Sequence, residues 1–353
     1  MKTQRSSIVA WLACVALLGG LVGCGPKPGT ETTTEEPTAV QQPAVKAVPE
    51  QPVLTLTCAS FAPPSTFPCV QMEHWKTQIE TWTNGKVKVE TQSGKPDVLN
   101  AVIAGQVDIG NFPIWDARHR FPVSEVIDLP VGFSSAKAAT LTFYHLIMKY
   151  NPKEFENVKI ITVFTCPPCN LMSSTPIRSL EELKGMEIFT SGSGNDILKC
   201  LGAVPLDMSP GSGFGTGAAK ALHSSLDLLK DRGYAEQFSN VTMLNLPVTA
   251  FAVVMNAEKW TSLPEELKPI IDNLRLEHAI WTADYVDAHA KESLEWAKQQ
   301  HNVQVFDLSA EDQAKLPELV KPVIDDYIAR ANAAGLPGEP ILQDVLAAKE
   351  QFK

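Results

Sequence analysis

From Ser262 onward the chain reads as a single helix longer than a small domain is wide. Ser262-Leu263-Pro264-Glu265 fits a capping box, in which a Ser hydroxyl and a Glu three residues on satisfy backbone donors, with Pro in the first turn. Beyond it Leu267, Ile270, Ile271, Leu274, Trp281, Tyr285, Ala288 and Leu294 mark one helical face to about Gln299. About 38 residues at 1.5 Å each reach roughly 57 Å, and Pro269 is placed to kink the start. Such a rod outruns one small core. It predicts two lobes joined by a hinge, with the helix spanning both.

The rest of the chain supplies the lobes. Residues 53–60 alternate apolar and polar side chains as a first strand, and Met72, Trp75, Ile79 and Trp82 predict a helix over about 70–82, stopped by Asn84-Gly85. Residues 86–90 are a second strand. Asp97 is positioned to cap a short helix ending at Gly105, and residues 106–112 are a third strand. A helix starting near Ser134 or Ser135 and a strong strand over 157–165 follow. Residues 180–210 have the length and pattern of one βαβ unit, 217–230 have helical composition, 241–256 are extended, and 301–308 are a late strand. A last helix over 309–335 is closed by Gly335 and Pro337. Strands alternating with helices at this spacing predict an α/β fold, with parallel sheets covered by helices. In such sheets ligands sit at the carboxyl ends of strands, so residues 189–195 and 208–213 are expected to border a cleft.

The N-terminus is an address rather than a fold. Lys2 and Arg5 precede an apolar run over 8–22, too short for the about 20 residues of a spanning helix and right for a secretory leader. It ends in Leu21-Val22-Gly23-Cys24, which resembles a bacterial lipobox and implies cleavage before Cys24 and acylation of its thiol. Several acyl chains anchor stably where one does not. Residues 24–52, rich in Pro, Thr, Glu and Gln, read as a disordered tether. Loss of the leader leaves 28 basic against 40 acidic residues, a net charge of −12. That excludes nucleic acid as a natural partner and favours a soluble body. Five cysteines follow Cys24, namely Cys58, Cys69, Cys166, Cys169 and Cys200. In an oxidising compartment such residues form disulfides, and the odd number leaves one over.

Seven stretches in order, TWTNGKVKVETQSG, AVIAGQVDIGNF, RFPVSEVIDLPVGFSSAKAA, PIRSLEELKGMEI, LKCLGAVPLDM, VVMNAEKWTSLPEEL and IDDYIARANAAGLPG, run from about Leu54 to Gly338. Together they resemble the solute-binding subunits of tripartite ATP-independent periplasmic (TRAP) transporters, of the dicarboxylate-binding type. The resemblance implies a two-lobed periplasmic-binding-protein-like fold that closes on a small organic molecule by hinge motion. It implies delivery to one small and one large membrane subunit, uptake driven by an ion gradient, no cofactor and no catalysis. On it, lobe I comprises residues 53–163 plus about 249–280, and lobe II 164–248 plus about 281–345.

The family usually carries an Arg after the strand of the LKG-x-x-I segment, whose guanidinium clamps the ligand carboxylate. Here Phe189 stands there, either as an aromatic floor of the cleft or as a core ring turned away from it. Phe214 carries over as an aromatic wall, while Arg118 or Arg120 offers a replacement cation. The ligand-contacting set expected is Phe61, Trp115, Arg118, Asn170, Phe189, Ser191, Met208 and Phe214. The ligand is then an organic acid, or an aromatic or weakly charged molecule given the missing Arg. Ser191-Gly-Ser-Gly194 can present backbone N–H groups to an anion or serve as an ordinary helix cap at Ser193 or Asn195.

Cys166-Pro-Pro-Cys169 opens two other function classes. A CxxC pair can exchange disulfides, which would make the chain an exported thiol–disulfide oxidoreductase, although no helix is predicted after it. Joined with Cys58 and Cys69 it can form a four-thiolate metal or metallophore site. The plainer reading is two structural disulfides, Cys58–Cys69 and Cys166–Cys169, with Cys200 a buried apolar residue. The seven histidines show no metal-ligand spacing.

Overall fold

The computed structural model describes residues 54–117, 119–208 and 220–353. The leader, the tether with Cys24, Arg118 and Phe214 lie outside the described residues. In the first part, apolar alternation gives way to helical spacing and back: β1 (Leu54–Ser60), α1 (Phe67–Trp82), β2 (Val87–Gln92), α2 (Val98–Ile103), β3 (Ile109–Pro113), α3 (Ala136–Tyr150) and β4 (Val158–Thr165). The chain then builds elsewhere, with β5 (Asn170–Ser173), β6 (Glu187–Thr190), α4 (Gly194–Cys200), β7 (Val204–Asp207), β8 (Ala221–Ser224), α5 (Leu228–Asp231) and β9 (Asn240–Met243). It returns as β10 (Ala250–Asn256), followed by α6 (Ala257–Ser262), α7 (Lys268–His301), β11 (Gln304–Asp307), α8 (Ala310–Ala333) and α9 (Gly338–Gln351).

Two sheets result, ordered β2-β1-β3-β10-β4 and β11-β9-β5-β8-β6-β7. The fold is α/β and two-lobed, as expected, but the sheets are mixed rather than parallel. β10 runs antiparallel to β3 and β4, and β5 antiparallel to β8 and β9. These are the strands at which the chain changes sheets. A strand arriving from the other lobe is not tied to the right-handed crossover that forces parallel neighbours. The βαβ reading of 180–210 matches β6-α4-β7, whose strands pair in parallel. Residues 221–224, expected within a helix, are instead the edge-to-edge link β8 between β5 and β6, despite the helix-forming Ala and Leu. Tertiary pairing overrides propensity in so short a segment.

Local capping follows the sequence in part. Ser135 Oγ accepts from Ala138 N at 3.0 Å and Ser309 Oγ from Asp312 N at 3.1 Å. Asp97 sits at the start of α2, but with φ 51° its carboxylate accepts from the Asn100 amide rather than the helix backbone. The capping box at Ser262 does not form. Ser262 ends α6, its hydroxyl donating to Lys259 O at 2.8 Å, and α7 starts at Lys268 after a turn. Pro269 therefore occupies the first turn of α7, where its missing N–H costs nothing and no kink is needed.

α7 has 34 residues, about 51 Å at 1.5 Å each. Its buried face is not the large-residue stripe expected. Beyond Leu274 it is, apart from Val286, made of small and polar residues, among them His278, Ala279, Thr282, Ala283 and Ala297. Trp281 and Tyr285 are only half-buried, while Ala288 is exposed. Trp281 stacks on His74 of α1 with centroids 3.5 Å apart, and Tyr285 stacks on both Trp281 and His289. Small residues let α7 approach both lobes closely, leaving the aromatic rings to line its flank. α8 also bridges. Leu316 and Val320 lie in the second lobe's core, Tyr327 and Ala331 in the first's. α9, not expected from the sequence, packs Ile341, Leu342 and Val345 with Phe143 and Leu146 of the first lobe, although residues up to 345 are assigned above to the second.

Candidate binding site between the lobes

A cavity of about 350 Å³ opens where strands of both sheets end. From the first lobe, Phe61 and Ala62 follow β1, Trp115 and Asp116 follow β3, and Cys166 follows β4. Thr66, Phe67 and Pro68 add the first turn of α1, and Thr249 and Phe251 come from the start of β10. From the second lobe, Ser191 follows β6, Asp207 and Met208 end β7, and Ser224 and Ser225 end β8. Leu228 and Arg232 come from α5 and its end. This is the switch-point position at which open α/β sheets bind ligands.

The floor is aromatic. Phe251 stacks on Phe61 at 5.9 Å and on Phe164 at 5.2 Å, and Phe67 meets it edge-on at 5.5 Å. Such rings offer flat apolar area at little entropic cost. Polar groups converge from the rim. Arg232 is the only cation among the described lining residues; it is exposed, and its guanidinium stands 5.9 Å from the Tyr234 ring. Burial, then the nearby Asp97 carboxylate, raises the Asp116 carboxyl above its usual range. Ser225 donates to Asp227 Oδ1, and burial pushes that carboxyl up to about 6.

A second cavity, about 510 Å³, lies on the other side of Trp115 towards α8. Its charges answer one another, with Arg330 on Glu125 at 2.7 Å and Lys199 on Asp196 at 3.3 Å. It lacks the aromatic floor and the strand ends.

The first cavity brings together Phe61, Trp115, Ser191 and Met208 of the expected contact set. Phe189 is not among its lining residues. The ring is buried in the second lobe's core with Met172, Leu222 and Leu229, which is the core reading rather than the floor. Asn170 is buried as a brace, its amide donating to Pro168 O at 3.0 Å and its carbonyl accepting from Asn245 N at 2.9 Å. Arg120 points away to Asn100 Oδ1 at 2.9 Å. Ser193 donates to Asp128 O at 2.7 Å, so the Gly-rich turn joins the lobes rather than capping α4.

All five described cysteines are free thiols. Cys166 and Cys169 line the cavity with their sulfurs 3.9 Å apart. Cys58 is fully buried behind it, where burial raises its thiol far above the usual range, and Cys69 donates to Ala62 O at 3.3 Å. Among the described residues no three or more His, Cys, Asp or Glu gather as a metal ion would need, so the four-thiolate site does not form. After Cys169 the chain continues as β5, without the helix N-terminus that activates thiols in CxxC oxidoreductases.

Sequence reasoning missed Phe67, Thr249, Phe251, Ser224, Ser225 and Arg232. Reading 217–230 as helix hid the last three, because a serine pair at a strand end and an Arg at a helix end look ordinary without the strand. The one available signal was Gly233, whose φ of 66° marks where α5 breaks off beside Arg232.

A cavity at the carboxyl ends of two sheets, bridged by three chain crossings and a long helix, defines a two-lobed binding protein. The chain belongs to the bacterial extracellular solute-binding proteins, family 7, which it matches over residues 58–331. It is 38% identical to a TRAP periplasmic solute-binding protein of Desulfovibrio salexigens, with a TM-score of 0.79 over 85% of this chain and 97% of that one. That structure is an open complex holding the C-terminus of a symmetry mate in its ligand site. The fold is shared with a Rhodoferax ferrireducens TRAP protein holding benzoate, at 18% identity and a TM-score of 0.79 over 85% and 98%. It is 24% identical over 158 residues to the C4-dicarboxylate-binding protein DctB of Bacillus subtilis, covering 43% of this chain and 45% of that one. The chain spans about half the length of the curated relatives it matches.

Proposed function

We propose that the chain is the solute receptor of a TRAP-type transporter for a small organic acid with an aromatic or other flat apolar body. The ligand's body would lie on Phe61, Phe67 and Phe251, and its carboxylate would meet Arg232 and the serines at the ends of β6 and β8. The observation that carries this reading is an aromatic cluster and a single cation among the described residues that line one cavity of about 350 Å³, within the range of small-molecule sites. Related structures that hold benzoate, 3-hydroxybenzoate and mandelate support it. The loaded receptor would hand its ligand to a small and a large membrane subunit. Acylation at Cys24 and the tether over 24–52 would hold it at the cell envelope, with lobes divided near 163, 249 and 280.

A thermal-shift panel of benzoate, 3-hydroxybenzoate, mandelate and succinate tests the reading. A ligand at a hundred times its Kd stabilises by about 2.7 kcal/mol, which moves a chain of this size by several degrees. Aromatic acids should shift the midpoint and succinate should not; a flat panel rejects the proposal. Cys24→Ser should release the protein from the membrane fraction.

A further inference from the structure

The chain passes between the two sheets outside any helix or strand at two places, residues 166–169 from β4 to β5 and residues 244–249 from β9 to β10. These crossings run side by side and are hydrogen-bonded to each other. Cys166 N donates to Thr249 O at 3.0 Å, Cys169 N to Pro247 O at 2.7 Å, and Leu246 N to Cys169 O at 3.0 Å. Thr249 N donates in return to Cys166 Sγ at 3.1 Å. Cys166 and Cys169 are thus three apart in sequence, but their backbone partners are only two apart. The surplus is a bulge formed by Pro167 and Pro168, which have no N–H to give to a ladder. Two residues of strand span about 6.6 Å, inside the range of Cα separations that a disulfide bridges. The two sulfurs already face each other at 3.9 Å, and both residues, though buried, are part of the lining of the cavity between the lobes.

We propose that Cys166 and Cys169 are a reversible disulfide site built into the hinge, oxidised by small disulfides of the glutathione class. One protein sulfur attacks a sulfur of the small disulfide, breaking its S–S bond and releasing one thiol. The second protein sulfur then attacks the mixed disulfide and releases the other. The two protons lost by the protein end on the two released thiols, and the small disulfide is the species reduced. The hydrogen bond with Cys166, then burial, hold the Cys169 thiol well above its usual range, so Cys169 rests as the thiol rather than the thiolate. The bridge closes a ring across the Pro-Pro bulge on one of the two crossings. It therefore stiffens the segment that must twist when the lobes open and close, without adding a contact to the ligand.

The experiment uses the whole wild-type chain and needs no ligand. Protein reduced with dithiothreitol is compared with protein equilibrated against oxidised glutathione, by peptide mapping and by hydrogen exchange. The expected result is a Cys166–Cys169 peptide two hydrogens lighter, restored by dithiothreitol. Exchange should slow at least tenfold for the amides of residues 166, 169, 246 and 249, and stay unchanged in α9. Any of three outcomes overturns the proposal: persistent glutathione adducts without a bridge, bridges formed only by Cys58, Cys69 or Cys200, or a bridge that leaves exchange in both crossings unchanged. A Cys200→Ser chain, altered outside the cavity, keeps the map readable if that more exposed thiol scrambles.

Discussion

Gly192 lies against the indole of Trp115, so close that a Cβ placed on it would stand 2.9 Å from both Cγ and Cδ1. The glycine belongs to the second lobe and the tryptophan to the first, which makes this approach part of the seam above the binding cavity. Its φ of 58° adds backbone strain for any other residue. Gly192→Ala should cost about 1–3 kcal/mol and enlarge the radius of gyration in solution scattering as the seam parts. Adding Trp115→Ala should recover part of the loss in chemical unfolding, because the clash term disappears and only the backbone term stays.

Arg232→Ala should weaken binding of benzoate, or of whichever panel acid binds, by about 10- to 100-fold, the worth of a hydrogen bond to a charged group. Its unliganded unfolding midpoint should hardly move, since the side chain is exposed and its guanidinium stands 5.9 Å from the Tyr234 ring. Arg232→Lys should restore part of the affinity but not the two-pronged geometry. Titration calorimetry of the three proteins decides it; equal affinities would move the carboxylate elsewhere in the cavity.

Burial lifts the Glu154 carboxyl to about 7, against the pull of the Ser124 hydroxyl and the Val123 and Ser124 amides that donate to it. Between its ordinary 4.5 and about 7 the folded chain holds a proton that the unfolded chain has released. Stability from this group is complete below about 4.5 and is lost as pH rises through about 7, at no more than about 1.4 kcal/mol per pH unit. Glu154→Gln should flatten that slope. Urea midpoints of both proteins from pH 4.5 to 8 measure it, and parallel curves would rule the assignment out.

His223 works in the opposite direction. Burial depresses its imidazole to about 4, and its two nitrogens are taken by Thr190 Oγ1 and Leu246 O. With Nε2 donating to the carbonyl, Nδ1 must accept from the hydroxyl, so the neutral ring is the one that fits. The unfolded chain gains a proton below about 6.5 that the folded chain refuses, so stability falls as pH drops from 6.5 towards 4. His223→Phe should lose about 1–3 kcal/mol at pH 7 through the unsatisfied carbonyl. It should also show a shallower acid limb than wild type in the same urea series.

What could be read in advance was local. The helix starts near Ser135 and Ser309, the stop at Gly105 and the βαβ unit around Gly194 are each set by residues within a few positions of one another. Sheet membership was not legible, because β5 and β10 take their direction from where the chain re-enters a lobe. The buried face of α7 was misread since Ala279, Ala283 and Ala297 matter by being small, which no hydrophobic stripe reveals. Half the cavity could be anticipated from strand ends. Arg232 had only Gly233 beside it as a signal, since it enters because α5 breaks off beside the cleft.

The order of the first sheet, with β10 between β3 and β4, has a consequence for how the protein is made. β4 touches that sheet only through β10, and the whole second-lobe run from β5 to β9 is strung between them. A chain emerging from its N-terminus has no completed sheet to offer until residue 256 is out. Long separations of this kind slow folding. In a family that works outside the cell, that delay keeps the new chain unfolded for longer after synthesis.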